Sequence, residues 1–123
     1  MFTTPLELLA LPEPDQWRVV TPLRWSDDIY GELEVPAGFQ TDLASTPFHI
    51  ADNGAARRPA AMHDWLYGSL EGRAHGKAYA DRFLRAALLA DGASRFTAWT
   101  FYAGVALFGR SSWSADGTRL AGK

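Results

Sequence analysis

Lys77-Ala78-Tyr79-Ala80-Asp81-Arg82-Phe83-Leu84-Arg85-Ala86-Ala87-Leu88-Leu89-Ala90 sets Ala80, Phe83, Leu84, Ala87 and Leu88 at i, i+3, i+4, i+7 and i+8. Residues at that spacing fall on one stripe of an α-helix, and no other stretch of the chain is as periodic. Downstream, Gly92 is a natural stop, and Ser94 is a candidate N-cap for another helix reaching about Phe108. That helix is apolar nearly all round, which predicts burial in the core or against a partner. The remainder from Gly109 is polar except for Trp113. Upstream, a further helix is expected over Pro59 to Ser69, with Pro59 tolerated in its first turn. Met62, Leu66 and Leu70 share one stripe of it, and His63 and Tyr67 the adjacent one. Gly68, Gly72 and Gly76 then mark a frayed end and a loop.

Before residue 56 the period changes from 3.6 to two. Trp17, Val19, Thr21, Leu23 and Trp25 alternate with Arg18, Val20, Pro22 and Arg24. Ile29, Gly31, Leu33 and Val35 alternate with Tyr30, Glu32 and Glu34. Both runs read as strands with one apolar face, joined by a turn at Ser26-Asp27-Asp28. Pro22 points to an edge strand or a bulge. Pro36-Ala37-Gly38 ends the second run, Phe39-Gln40-Thr41 is a further short strand, and Thr41 to Gly54 reads as a long loop. The expected architecture is α+β. A small N-terminal antiparallel sheet of two to four strands is covered on one face by three C-terminal helices. Residues 1–123 form a single domain, β-rich with a long loop over about 17–56 and helical over 57–110.

Composition narrows the function. The chain has 123 residues, 47% of them apolar and 21% charged, with a net charge of −2. That is a globular balance, and it argues against nucleic acid as a partner, which would need clustered Lys and Arg. The absence of cysteine excludes disulfides, thiolate metal sites and cysteine nucleophiles. The N-terminus lacks the basic start and apolar run of a signal peptide. The most apolar stretch, Phe96 to Phe108, is well short of the roughly 20 residues that span a bilayer. No transmembrane segment is therefore expected.

Two polar clusters can carry chemistry: Thr41-Asp42-Leu43-Ala44-Ser45-Thr46-Pro47 in the loop, and His63-Asp64-Trp65-Leu66-Tyr67 on a helix. His63 and Tyr67 sit one above the other, while Asp64 is rotated by about 100° toward the loop or solvent. Asp81 flanks the stripe of the next helix. If those two helices pack antiparallel, Asp81 can hydrogen-bond one imidazole nitrogen of His63 and leave the other as a general base. Asp42, His63 and Asp81 are therefore expected to converge. The same residues also fit a structural polar network with no catalysis in it. Asp42 and Ser45 then cap the helix or tie down the loop. A Ser45–His63–Asp81 nucleophile lacks the usual strand-to-helix elbow. His49 and His63 do not have a zinc spacing, His49 and His75 default to the surface, and Arg57-Arg58 reads as a surface pair.

The order Val35-Pro36-Ala37-Gly38-Phe39, Thr41-Asp42-x-Ala44-Ser45-x-Pro47, His63-Asp64-Trp65-Leu66-Tyr67 and Ala80-Asp81-x-x-Phe83 resembles a family of small phage and prophage proteins of unknown function. The likeness runs over roughly residues 17–113. It implies a viral or prophage origin, a place in the host cytoplasm or the virion, and phage structural proteins as partners; the apolar third helix separately suggests a homo-oligomer. His-Asp-x-x-Tyr with a second Asp on a neighbouring helix is also similar to the dyad of phospholipase A2. That resemblance implies a hydrolase in which His63 activates a water and Asp81 orients it. Asp64 would hold a calcium ion, with Asp42 and nearby carbonyls as further oxygen ligands, and Tyr67 would buttress the Asp.

Overall fold

A computed structural model of the chain describes residues 1–43 and 54–122. The period-two half divides into two sheets rather than one. Strands β1 (Leu8–Ala10), β2 (Trp17–Val19) and β5 (Gln40–Thr41) pair antiparallel in the order β1-β2-β5. Strands β3 (Leu23–Asp27) and β4 (Gly31–Val35) form a separate hairpin. The alternation from Trp17 to Trp25 runs unbroken in the sequence, yet the chain leaves one sheet at Val20 and enters the other after Pro22. A proline has no N–H to give a ladder, so the break falls where pairing would have failed.

The hairpin turn is set by Asp27, whose Oδ1 accepts the backbone N–H of Ile29 at 3.1 Å and of Tyr30 at 2.6 Å. Gly31 follows with φ +73°, a left-handed conformation that a side chain would resist. The turn thus occupies residues 28–30, slightly later than alternation suggests. Ile29, read as a strand residue, stands at its tip and is 81% exposed.

Among the described residues, five α-helices follow where three are expected. Helices α1 (Arg57–Gly68), α3 (Lys77–Ala90) and α4 (Arg95–Phe108) correspond to the anticipated ones. The additions are the single turn α2 (Leu70–Arg73) and α5 (Arg110–Ala121). Gly72 belongs to the tight corner between α1 and α2, not to a frayed end. A Cβ there would come within 2.5 Å of the Trp65 carbonyl oxygen. No residue of α5 is buried, so the helix carries no apolar stripe that could announce it. It is held at Trp113, whose ring meets Tyr67 edge-on at 5.1 Å and lies under the Arg73 guanidinium at 3.7 Å.

α1 and α3 run antiparallel. Arg58, at the start of α1, forms a two-pronged ion pair with Asp91 just beyond α3, at 2.7 and 2.8 Å. Tyr67, near the end of α1, reaches Asp81 near the start of α3. Arg58 is therefore a tie between elements, not half of a surface pair, and it also lies over the Phe2 ring. The stripe of α3 is wholly buried, as its periodicity predicts: Ala80, Phe83, Leu84, Ala87 and Leu88 are closed to solvent. Phe83 joins the helices to the sheet side. Its ring packs edge-to-face on Trp25 at 4.9 Å and Tyr30 at 5.4 Å, and on Phe2 at 6.3 Å.

Within the chain, the core covers one face of α4. Ser94 caps it by accepting the Thr97 N–H at 3.1 Å. Ala98, Phe101, Gly104 and Val105 are buried, but Phe96 and Leu107 are 80% and 72% exposed. Among the described residues, no helix is long and apolar enough to cross a membrane.

Candidate functional site

Asp81 is the centre of a buried polar cluster drawn from α1, α3 and α4. Its Oδ1 takes the Tyr67 hydroxyl at 2.6 Å and lies 3.0 Å from His63 Nε2. Its Oδ2 takes the Lys77 ammonium at 2.6 Å, and the same ammonium donates to the Val105 carbonyl of α4 at 2.9 Å. His63 is 4% exposed and Asp81 3%. Burial works to raise the Asp81 pKa. Hydrogen bonds from His63, Lys77 and Tyr67 outweigh it and hold the carboxyl below its ordinary range. An ionised carboxylate only accepts, so His63 Nε2 must carry the proton between the two groups. Burial, and next to it the hydrogen bond to Asp81, push the Tyr67 phenol up, which keeps it a donor.

The side chains reach this arrangement for simple reasons. His63 and Tyr67 stack on one face of α1, with ring centroids 4.4 Å apart, as a four-residue step requires. Lys77 and Asp81 take the same step on α3. Lys77 is absent from the residues that sequence reasoning singles out. The i, i+4 spacing of opposite charges in Lys77-x-x-x-Asp81 was the available signal.

Asp64 belongs to a second group, about 100° around α1 from His63. Its Oδ2 accepts the Thr41 hydroxyl at 2.7 Å, and Thr41 in turn accepts the Leu43 N–H at 3.2 Å. Thr41 is buried, so this pair pins the chain after β5 to α1. Asp42 stands with Asp64, which accepts its backbone N–H. The anticipated convergence therefore splits, with His63 and Asp81 in one cluster and Asp42 beside Asp64 in the other. Asp64 also borders an open cleft of about 980 Å³, together with Asp42, Phe39, Trp65, Asp116 and Arg119. Neither His63 nor Asp81 lines it. Among the described residues, no three His, Asp or Glu side chains group as a metal site. Ser45 and His49 lie outside the described residues, and His75 stacks on Tyr79 at 4.5 Å, exposed.

Burial, with the negative charges of Asp42 and Asp116 nearby, pushes Asp64 from 3.8 up to about 7. Between those values the folded protein holds a proton that the unfolded chain has released, so stability falls as pH rises through that window. Asp64→Asn should flatten this slope. Thermal melts from about pH 4 to 8 are expected to show the wild type losing ground to the variant as the pH climbs. Parallel curves for the two proteins would contradict the assignment.

These features define an α+β protein in which a sheet and a hairpin lie against helices locked by one buried aspartate. The chain belongs to the family DUF1353, a protein family of unknown function, which matches it over residues 17–105. No curated protein and no solved structure matches it.

Proposed function

We propose that this protein acts by binding rather than by turnover, and that the Asp81 cluster is a clamp that sets the helices which present the binding face. The observation that carries this reading is the saturation of Asp81. Both oxygens are taken by donors at 2.6 to 3.0 Å, from His63, Tyr67 and Lys77, inside a closed cluster. A general base has to reach a substrate proton, and the cleft of about 980 Å³ is lined by Asp64 and not by His63. The phage setting implied by the sequence resemblance would make the partner another copy, a phage component or a host component.

A hydrolase is the second reading. It is favoured by the His63 Nε2 and Tyr67 contacts to Asp81, which are the ones the phospholipase A2 resemblance implies. In it Asp64, with Asp42, would hold the calcium ion. The two readings part on His63→Gln. Under the clamp reading the wild type is inert on ester and phospholipid substrates with or without calcium, and His63→Gln lowers the melting temperature by several degrees. Turnover by the wild type that vanishes in a fully folded His63→Gln protein would overturn it.

A further inference from the structure

We propose that the outer face of α4 docks on an anionic lipid bilayer, lying along its surface. The inference rests on the binding reading only in taking that face as the contact. Phe96, Trp99, Ala103, Ala106 and Leu107 fall within an arc of about 100° on the helix. They leave an apolar strip on which Phe96, Trp99 and Leu107 are exposed. No charged residue occurs between Phe96 and Phe108. The opposite face of α4 is spoken for by the core through Ala98, Phe101 and Val105. The helix can therefore lie on a bilayer but not enter it end-on.

The charge around the strip says which occupant fits. The chain as a whole is at −2, yet the charged residues that border this strip are arginines, Arg85 of α3 and Arg95 at the start of α4. Among the described residues, Arg85 and Arg95 form no ion pair. Arg85 and Arg95 stand beside a groove of about 580 Å³ shared with Leu89, Phe96, Ala98 and Trp99. The Arg85 guanidinium also lies over the Trp99 ring at 5.6 Å. Cationic groups of α3 and α4 bordering the exposed aromatic and aliphatic side chains of α4 suit phosphate headgroups above acyl chains. A second copy of the chain fits less well, because it would bring the same unpaired arginines against each other.

Sedimentation with vesicles of phosphatidylcholine, alone or with added phosphatidylglycerol, tests this. The expected result is binding to the phosphatidylglycerol vesicles, weaker at high salt, and little binding to phosphatidylcholine alone. Arg85→Glu with Arg95→Glu should weaken it at least about tenfold. Phe96→Ser with Leu107→Ser should do the same while leaving the melting temperature unchanged, since both side chains are exposed. Failure of the wild type to bind, or equal binding by all variants, would overturn the proposal. So would a dimer on gel filtration that the Phe96/Leu107 variant dissolves, although that outcome keeps the binding reading. Turnover dependent on His63 would instead remove the binding reading and leave the sedimentation result standing.

Discussion

Asp81→Ala is expected to cost the fold about 3–5 kcal/mol, read as a lower urea midpoint with an unchanged slope. The substitution removes one carboxylate but strands three donors. His63 Nε2, the Tyr67 hydroxyl and the Lys77 ammonium all point at the space it leaves. His63 and Tyr67 are buried, so water cannot easily replace the lost acceptor. Tyr67→Phe takes away a single donor and should cost only about 1 kcal/mol, because Asp81 keeps its other partners. The loss in Asp81→Ala also has a defined pH dependence. The folded pKa of Asp81 lies below its unfolded value. Its contribution is therefore full above the ordinary carboxylate range and disappears as pH falls through the folded value. The gap between wild type and Asp81→Ala should narrow below about pH 4. A gap that stays constant to lower pH would mean that the charge of Asp81 is not what holds the helices.

Phe83→Ala should be comparably damaging, at about 3–5 kcal/mol. The ring is fully buried and touches both β3 and the hairpin turn, where Tyr79 of α3 also packs on Tyr30. Alanine would open a cavity bordered by Trp25 and Tyr30 of the β3–β4 hairpin and by Phe2 at the N-terminus. Those neighbours cannot close in together, so little of the cost is recovered by relaxation. The edge-to-face pairs add about 0.5–1.5 kcal/mol each beyond area burial. Phe83→Leu keeps most of the apolar volume and should lose less. Near-ultraviolet circular dichroism provides an independent readout, since Trp25 is held in a fixed orientation by this ring. A variant that kept both its melting temperature and that signal would show that the helix and sheet are joined elsewhere.

The arginine-flanked strip on α4 and the clamp around Asp81 place different demands on the chain. The clamp joins α4 to α3 through Lys77 and the Val105 carbonyl. Anything that loosens it should let the outer face of α4 move relative to Arg85. If that face docks on a bilayer as proposed, a destabilised clamp would weaken the docking from a distance.

The sequence by itself determined the α+β order, the helices α1, α3 and α4 and the buried stripe of α3. Those follow from periodicities of two and 3.6, which short-range sterics enforce wherever one face is buried. It also set His63 over Tyr67 and Lys77 beside Asp81, because a four-residue step on a helix is local geometry. Tertiary structure alone decided the rest. The cut at Val20–Pro22 depends on which strand is available to pair, since alternation looks the same in one sheet or two. β1 is only three residues long and acquires its identity from its partner β2. α5 buries nothing and exists by docking Trp113 on Tyr67 and Arg73, contacts that a linear pattern does not encode. The site divided for the same reason. Asp42 and Asp81 look equally able to meet His63 along the chain, but His63 and Asp64 leave α1 about 100° apart. The helix therefore sends one toward Asp81 and the other toward Thr41, and only the packing of α3 and β5 on different flanks of α1 assigns each carboxylate its partner.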